Sequence, residues 1–177
     1  MAEMSQLQEH SVLSPGQFPL DIYVDINKKC DMLKKSHSPS PSLIASTCLC
    51  LALRRAARAV SRRYDEALRP VDLNNGQFSM LTMIAGLQPA AMQDLADGLA
   101  MDRTTLTAAL KPLERRGLVT VQTSLHDQRV REVTLTAEGR LLLRKATVLW
   151  QQAQQQLARE SGLAEVAPLL GQLSSLV

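Results

Sequence analysis

Aromatic residues are nearly missing from this chain: one Trp, two Tyr and two Phe stand among 177 residues. Its core must be aliphatic, and the abundant Ala, Leu, Gln and Arg favour helices as the building units. Cysteine is sparse too. Cys30, Cys48 and Cys50 are odd in number and have no metal-ligand spacing with the scattered His10, His37 and His126. That argues against a disulfide framework and against a zinc site. The longest nearly apolar run, Leu43 to Leu53, is too short for a bilayer and contains Ser46 and Thr47. The N-terminal stretch MAEMSQLQEH lacks the basic and apolar regions of a secretory leader. A cytoplasmic protein without membrane contact is therefore expected. Also missing are HExxH, a glycine-rich phosphate loop, a nucleophile elbow and any His–carboxylate pair at a catalytic spacing. Neither an enzyme nor a cofactor-bearing protein is expected.

What is present concentrates in residues 93–140. A short helix signal (QDLADGLA) precedes a second helix that opens at Asp102 (DRTTLTAALKPLERRG). A strand (LVTVQT), a charged turn (SLHDQR), a second strand (VREVTLT) and a new helix start (AEGR) follow. Helix, turn, helix and hairpin in that order make a winged helix-turn-helix, whose second helix is shaped for a DNA major groove. Asp102 suits its N-cap. Leu106, Ala109, Leu110 and Leu113 form its inward stripe, which leaves Arg103, Thr104, Thr107, Ala108 and Lys111 facing out. Arg and Lys pair with guanine O6 and N7, and Thr methyls pack on thymine methyls. Pro112 removes one helical hydrogen bond and is expected to kink the helix or end its regular part near residue 108. Gly117 suits the C-cap. Val119 and Val121 alternate with Thr120 and Gln122, as Val133 and Leu135 do with Glu132 and Thr134, so each strand has one apolar side. Asp127 and Arg129 sit at the hairpin tip. Net charge is +3 for the whole chain, but Arg103, Lys111, Arg115, Arg116, Arg129 and Arg131 meet only Glu114 and Asp127 within 103–131, a local +4. A basic patch on one structural unit is the footprint of phosphate binding; a merely solvated face is the plainer alternative.

The rest of the chain divides around this block. Residues 1–42 carry Ser14-Pro15-Gly16, Pro19 and SHSPSPS, and read as a flexible extension with a short ordered piece around 20–26. Residues 43–72 read as one long helix from Leu43 to Ala67 or Leu68, capped by Ser42 and ended by Pro70. Its apolar face is Leu49, Leu53, Ala56, Val60, Tyr64 and Leu68. The DNA-binding domain spans 73–136, opening with a capping box at Asn74 and Gln77. The helix after Met92 has no good N-cap. Thr136 caps the next helix, with Gly139 tolerated early, and residues 137–177 supply long C-terminal helices. The apolar positions of the terminal helices exceed what a small winged module covers. Intrachain packing would hide them, but two-fold DNA sites favour pairing with a second copy. The fold class is mainly α with a small two- or three-stranded β wing, a winged helix-turn-helix between long dimerisation helices.

Over residues 44–160 the chain resembles the MarR family of bacterial transcriptional regulators. DQRVREVTLTAEGR looks like the family's Asp-x-Arg…Leu-Thr-x-x-Gly signature, and LERRGLV and NNGQFSML match familiar segments. The resemblance implies a homodimer on palindromic promoter DNA, usually a repressor released by a small ligand or an oxidant. It implies that Arg129 enters the minor groove and that Asp127 orients the wing. The stretch CLCLALRRAARAV resembles the opening helix of the organic-hydroperoxide-sensing branch, where a cysteine is oxidised and tyrosines hold its thiolate. Cys50 matches that cysteine and Tyr64 one tyrosine; the other two tyrosine positions hold Arg54 and Asn75, so the pocket is incomplete. Arg54 stands one turn after Cys50. Alternatively Cys48 and Cys50 are small core residues. Two apart on a helix, they point in different directions and do not suit each other as disulfide partners; Cys30 or a small thiol suits better.

The sequence thus predicts a dimeric DNA-binding regulator. Arg103, Thr104, Thr107 and Lys111 read the major groove, Arg129 the minor groove, and Arg115, Arg116 and Arg131 meet phosphates. The alternative is a winged-helix protein-interaction module that binds no DNA, against which the outward cations argue, since a protein interface favours apolar anchors.

Overall fold

The computed structural model describes residues 21–35, 38–161 and 167–175. The chain divides into two compact units, Met1–Ala52 and Leu53–Val177. The expectations placed on residues 1–20, including Ser14-Pro15-Gly16 and Pro19, lie outside the described residues, as do His37 and Gly162.

In the first unit, α1 (Asp21–Lys35) lies against α2 (Pro41–Thr47). The ordered piece expected at 20–26 is therefore the start of a longer helix. The cap of α2 is Ser40, not Ser42: its hydroxyl accepts the Leu43 N–H at 3.3 Å, and Pro41 occupies the first helical position. Nor is the helix continuous from Leu43. Cys48 adopts an extended conformation (φ −70°, ψ 109°) that ends α2 and opens α3 (Leu49–Leu68). The sulfur of Cys48 accepts the Leu51 N–H at 3.4 Å, and its carbonyl accepts that of Ala52 at 3.0 Å. Cys48 thus stands where an N-cap stands, satisfying donors that the break would orphan.

The second unit carries the helix-turn-helix. Asp72, at φ 52°, turns the chain out of a single 3₁₀ turn (Arg69–Val71). Asn74 then starts α4 (Asn75–Leu87) with the expected capping box: its side chain accepts the Gln77 N–H at 2.8 Å, and the Gln77 side chain accepts the Asn74 N–H at 3.1 Å. A two-residue strand, β1 (Ala90–Ala91), leads into α5 (Met92–Gly98), which has no side-chain cap. Then come α6 (Arg103–Arg115), β2 (Val119–Thr123), β3 (Arg131–Leu135), α7 (Ala137–Ser161) and α8 (Ala167–Ser174). The sheet is antiparallel in the order β1-β3-β2, with Ala90 opposite Val133 and Val121 opposite Val133 on the other side. The hairpin is therefore a three-stranded sheet, and β1 ties the entry of α5 to its central strand.

Leu68, Leu81, Ile84, Leu95, Leu106, Leu113, Val119 and Val133 are wholly buried. Burial of each stabilises the fold by about 1.5–3 kcal/mol. Two of the few aromatics meet where Phe78 of α4 stacks on Trp150 of α7 at 5.9 Å. The expected inward stripe of α6 is met: Leu106, Leu110 and Leu113 are buried and Ala109 half-buried. The helix does not end near residue 108 but runs through Pro112 to Arg115. Pro112 deprives only the Ala108 carbonyl of its partner, and Ala108 is exposed, where water serves instead. Gly117 is left-handed (φ 68°), as the cap after α6 requires.

Gly139 is far more than tolerated. A Cβ there would lie 2.0 Å from the Leu118 carbonyl oxygen. That same oxygen accepts the Thr136 N–H at 3.1 Å, while the Thr136 hydroxyl accepts the Gly139 N–H at 3.0 Å. Among the described residues no helix is long and apolar enough to cross a membrane.

Candidate nucleic-acid interface

The outward face of α6 is preset by its first turn. The Asp102 carboxylate accepts the Thr105 N–H at 2.8 Å and the Thr105 hydroxyl at 2.6 Å. These two bonds, the hydroxyl foremost, hold the Asp102 carboxyl below the ordinary carboxylate range. Arg103, Thr104, Thr107, Ala108 and Lys111 are all exposed, as the helical spacing predicts. The Thr107 hydroxyl donates to the Arg103 carbonyl at 2.7 Å, so its donor is spent within the helix and its lone pairs remain free to accept.

The wing is a hydrogen-bonded turn between β2 and β3. The buried Ser124 donates its N–H to the Val130 carbonyl at 2.8 Å, and its hydroxyl accepts the His126 N–H at 3.2 Å. Asp127 closes the turn twice: its carbonyl accepts the Val130 N–H and its carboxylate the Arg129 N–H, both at 2.9 Å. The Asp127 side chain thereby fixes the backbone from which Arg129 projects into solvent. Lower on the hairpin, the Thr120 and Thr134 hydroxyls pair at 2.8 Å.

Arg103, Lys111, Arg115, Arg129 and Arg131 are exposed, and their side chains have no hydrogen-bond or ion-pair partner among the described residues. Arg116 differs from the other sequence-predicted cations. Its guanidinium donates to the Asp72 carbonyl at 2.6 Å and lies 3.4 Å from the Asp72 carboxylate, with the side chain about two-thirds covered. It fastens the end of α6 to the loop before α4. Nothing local signals this contact, because its partner lies 44 residues away.

The residues proposed for thiol chemistry are scattered by role. Cys48 caps α3, Cys50 is exposed, and Cys30 on α1 is half-buried. Its exposure does not suit Cys50 as a core residue. Tyr64 donates its hydroxyl to the Gln154 side chain, and partial burial raises its pKa. Asn75, at an expected tyrosine position, donates its N–H to Asp65 at 2.6 Å and so joins α4 to α3. Around Tyr64, α3 and α7 are held by an Arg63–Glu160 ion pair at 2.6 Å. Between them runs a groove of about 710 Å³, floored by Ala59, Ala67, Leu149, Ala153 and Leu157.

Comparison with known proteins bears on this architecture. The family model described as "MarR family" matches residues 73–130, from the cap of α4 to the end of the wing turn. The organic hydroperoxide resistance transcriptional regulator of Bacillus subtilis (strain 168) is 30% identical over 98 residues, which cover 55% of this chain and 67% of that protein. Among solved structures, the M. tuberculosis transcriptional regulator MosR in complex with DNA is 38% identical, with a TM-score of 0.60, covering 73% of this chain and 97% of that one. A cysteine-to-serine mutant of E. coli MarR with operator DNA is 26% identical at a TM-score of 0.68, covering 76% and 98%.

Proposed function

The chain belongs to the MarR family of transcriptional regulators, and from that premise we propose that it acts as a homodimeric, cytoplasmic repressor on palindromic promoter DNA. The observation that carries this reading is the set of exposed, partnerless cations on two rigid elements, α6 and the wing. Cations left without internal partners on a preshaped surface suit a polyanion, and preorganisation spares the ordering cost of binding. Arg103, Thr104, Thr107 and Lys111 read base edges in the major groove, and Arg129 enters the minor groove. Arg115 and Arg131 neutralise phosphates. Arg116 serves them indirectly by anchoring α6 to Asp72.

The dimer reading rests on the long helices. Leu141 and Val148 of α7 and Leu169 and Leu170 of α8 are exposed, and the α3–α7 groove has an apolar floor. A second copy docked on residues 43–72 and 137–177 would cover them and set two recognition helices on successive turns of DNA. Release follows from a change in the spacing of those helices, driven by a small ligand or by oxidation of the exposed Cys50.

The test is selection of duplexes from a random pool with the full-length protein, followed by binding titrations in a salt series with and without an organic hydroperoxide. Enrichment of a palindrome, bound with steep salt dependence, supports the repressor reading. Loss of binding with peroxide that a Cys50→Ser variant escapes assigns release to the thiol; indifference to the oxidant assigns it to a ligand. No enrichment and no salt dependence would turn the reading toward a protein-binding winged helix.

A further inference from the structure

The wing tip displays a side chain that neither the core nor the cation pattern explains. Leu125 is 99% exposed, whereas no other exposed large apolar side chain among the described residues exceeds 60%. The hydrogen bonds on either side of it hold it there. Before it, Ser124 is buried and bonded to Val130; after it, His126 is bonded back to Ser124, and Asp127 closes the turn. A tight, polar turn of this kind is ordinarily filled by Gly, Asn, Asp or Ser. A leucine held out of it adds nothing to the fold and leaves its whole apolar surface in water, where only an external surface can cover it.

Arg129, on the same turn, has its backbone fixed by Asp127 and its guanidinium free. We propose that Leu125 is a DNA contact of the wing, its isobutyl group packing on the deoxyribose walls of the minor groove that Arg129 enters. This rests on the DNA-binding reading above. The chemistry of the two side chains is complementary. The guanidinium meets the negative potential of the groove, and the leucine meets the C–H surfaces of its sugars, displacing water from both. Sugar contacts carry no base information and release no counterions. The Leu125 contribution is therefore uniform across sequences and independent of salt, unlike that of a cation.

The experiment uses the full-length protein and two labelled duplexes, one enriched from a random pool by the wild type and one with that site scrambled. Binding is measured by fluorescence anisotropy over about 50–200 mM salt. Leu125→Ser is expected to weaken binding to both duplexes about tenfold, with the slope of log affinity against log salt unchanged. Leu125→Met is expected to keep wild-type affinity, and the thermal unfolding of all three proteins to coincide. Wild-type affinity in Leu125→Ser, a loss confined to the enriched duplex, or a changed salt slope would each overturn the proposal. A wild type that enriches no sequence and binds without salt dependence would overturn its premise, and that outcome is visible before any variant is made.

Discussion

The winged unit and the long helices beside it use the same aliphatic residues and end in opposite states. From Leu73 to Leu135 the apolar side chains of α4, α5, α6 and the sheet close over one another, and seven of the eight large side chains wholly buried among the described residues lie there. Over its 20 residues α3 buries only Leu68; over its 25 residues α7 buries only Gly139 and Ala146; α8 buries none. What separates them is burial: among the described residues the long helices leave Leu49, Leu141, Val148 and Leu170 exposed. On the dimer reading proposed above, the unit that reads DNA is complete in one copy and the long helices are half of an interface.

The sharpest way to break this contrast is at the seam between the two regions. Gly139→Ala drives a methyl into the Leu118 carbonyl, and a backbone atom has no cheap way to move. We expect a loss of more than about 4 kcal/mol, read as collapse of the urea midpoint. Next in size is a matched pair of truncations. Leu106→Ala, at a wholly buried position, should cost about 2–5 kcal/mol. Leu170→Ala, at a position 55% exposed, should change the stability of dilute protein by less than about 0.5 kcal/mol. It should instead raise the dimer dissociation constant in sedimentation equilibrium, and equal unfolding costs for the two would dissolve the contrast. Arg129→Ala should leave stability alone yet weaken DNA binding at every site and lower the salt slope by about one; an unchanged slope would remove Arg129 from the interface. The smallest effect is electrostatic. Because the Asp102 carboxyl titrates below its unfolded value, its charge stabilises the fold above the ordinary carboxylate range, and this is lost as pH falls through its folded value. Asp102→Asn keeps a cap without a charge, so the urea midpoints of variant and wild type should converge on acidification.

What the sequence made legible was local. The Asn74–Gln77 box, the Asp102 cap, left-handed Gly117 and the Thr136 cap each depend on atoms within four residues, and each is found where expected. The outward face of α6 follows from helical period alone. What stayed hidden depended on distant partners or on competing caps. The need for glycine at 139 arises from a carbonyl 21 residues earlier, and the anchoring of Arg116 from Asp72. The nearly apolar run from Leu43 to Leu53 passes through Cys48 without a Gly or Pro to mark the break; Ser40 with Pro41 simply makes a better helix start than Ser42. Pro112 misled for the opposite reason. Its local rule is sound, but the orphaned carbonyl faces water in a helix held by Leu106, Leu110 and Leu113.

The crowded contact between Gly139 and Leu118 also sets a gear ratio. With no room for a Cβ at the Leu118 oxygen, the first turn of α7 is pressed against the residue that follows Gly117 at the end of α6. Its 25 residues make a lever about 37 Å long, so a swing of about 6 Å at the Ser161 end is a rotation of only about 10° at the fulcrum. On the release proposed above, a movement of that size at the far end of α7 would reach the helix-turn-helix as a small change of angle.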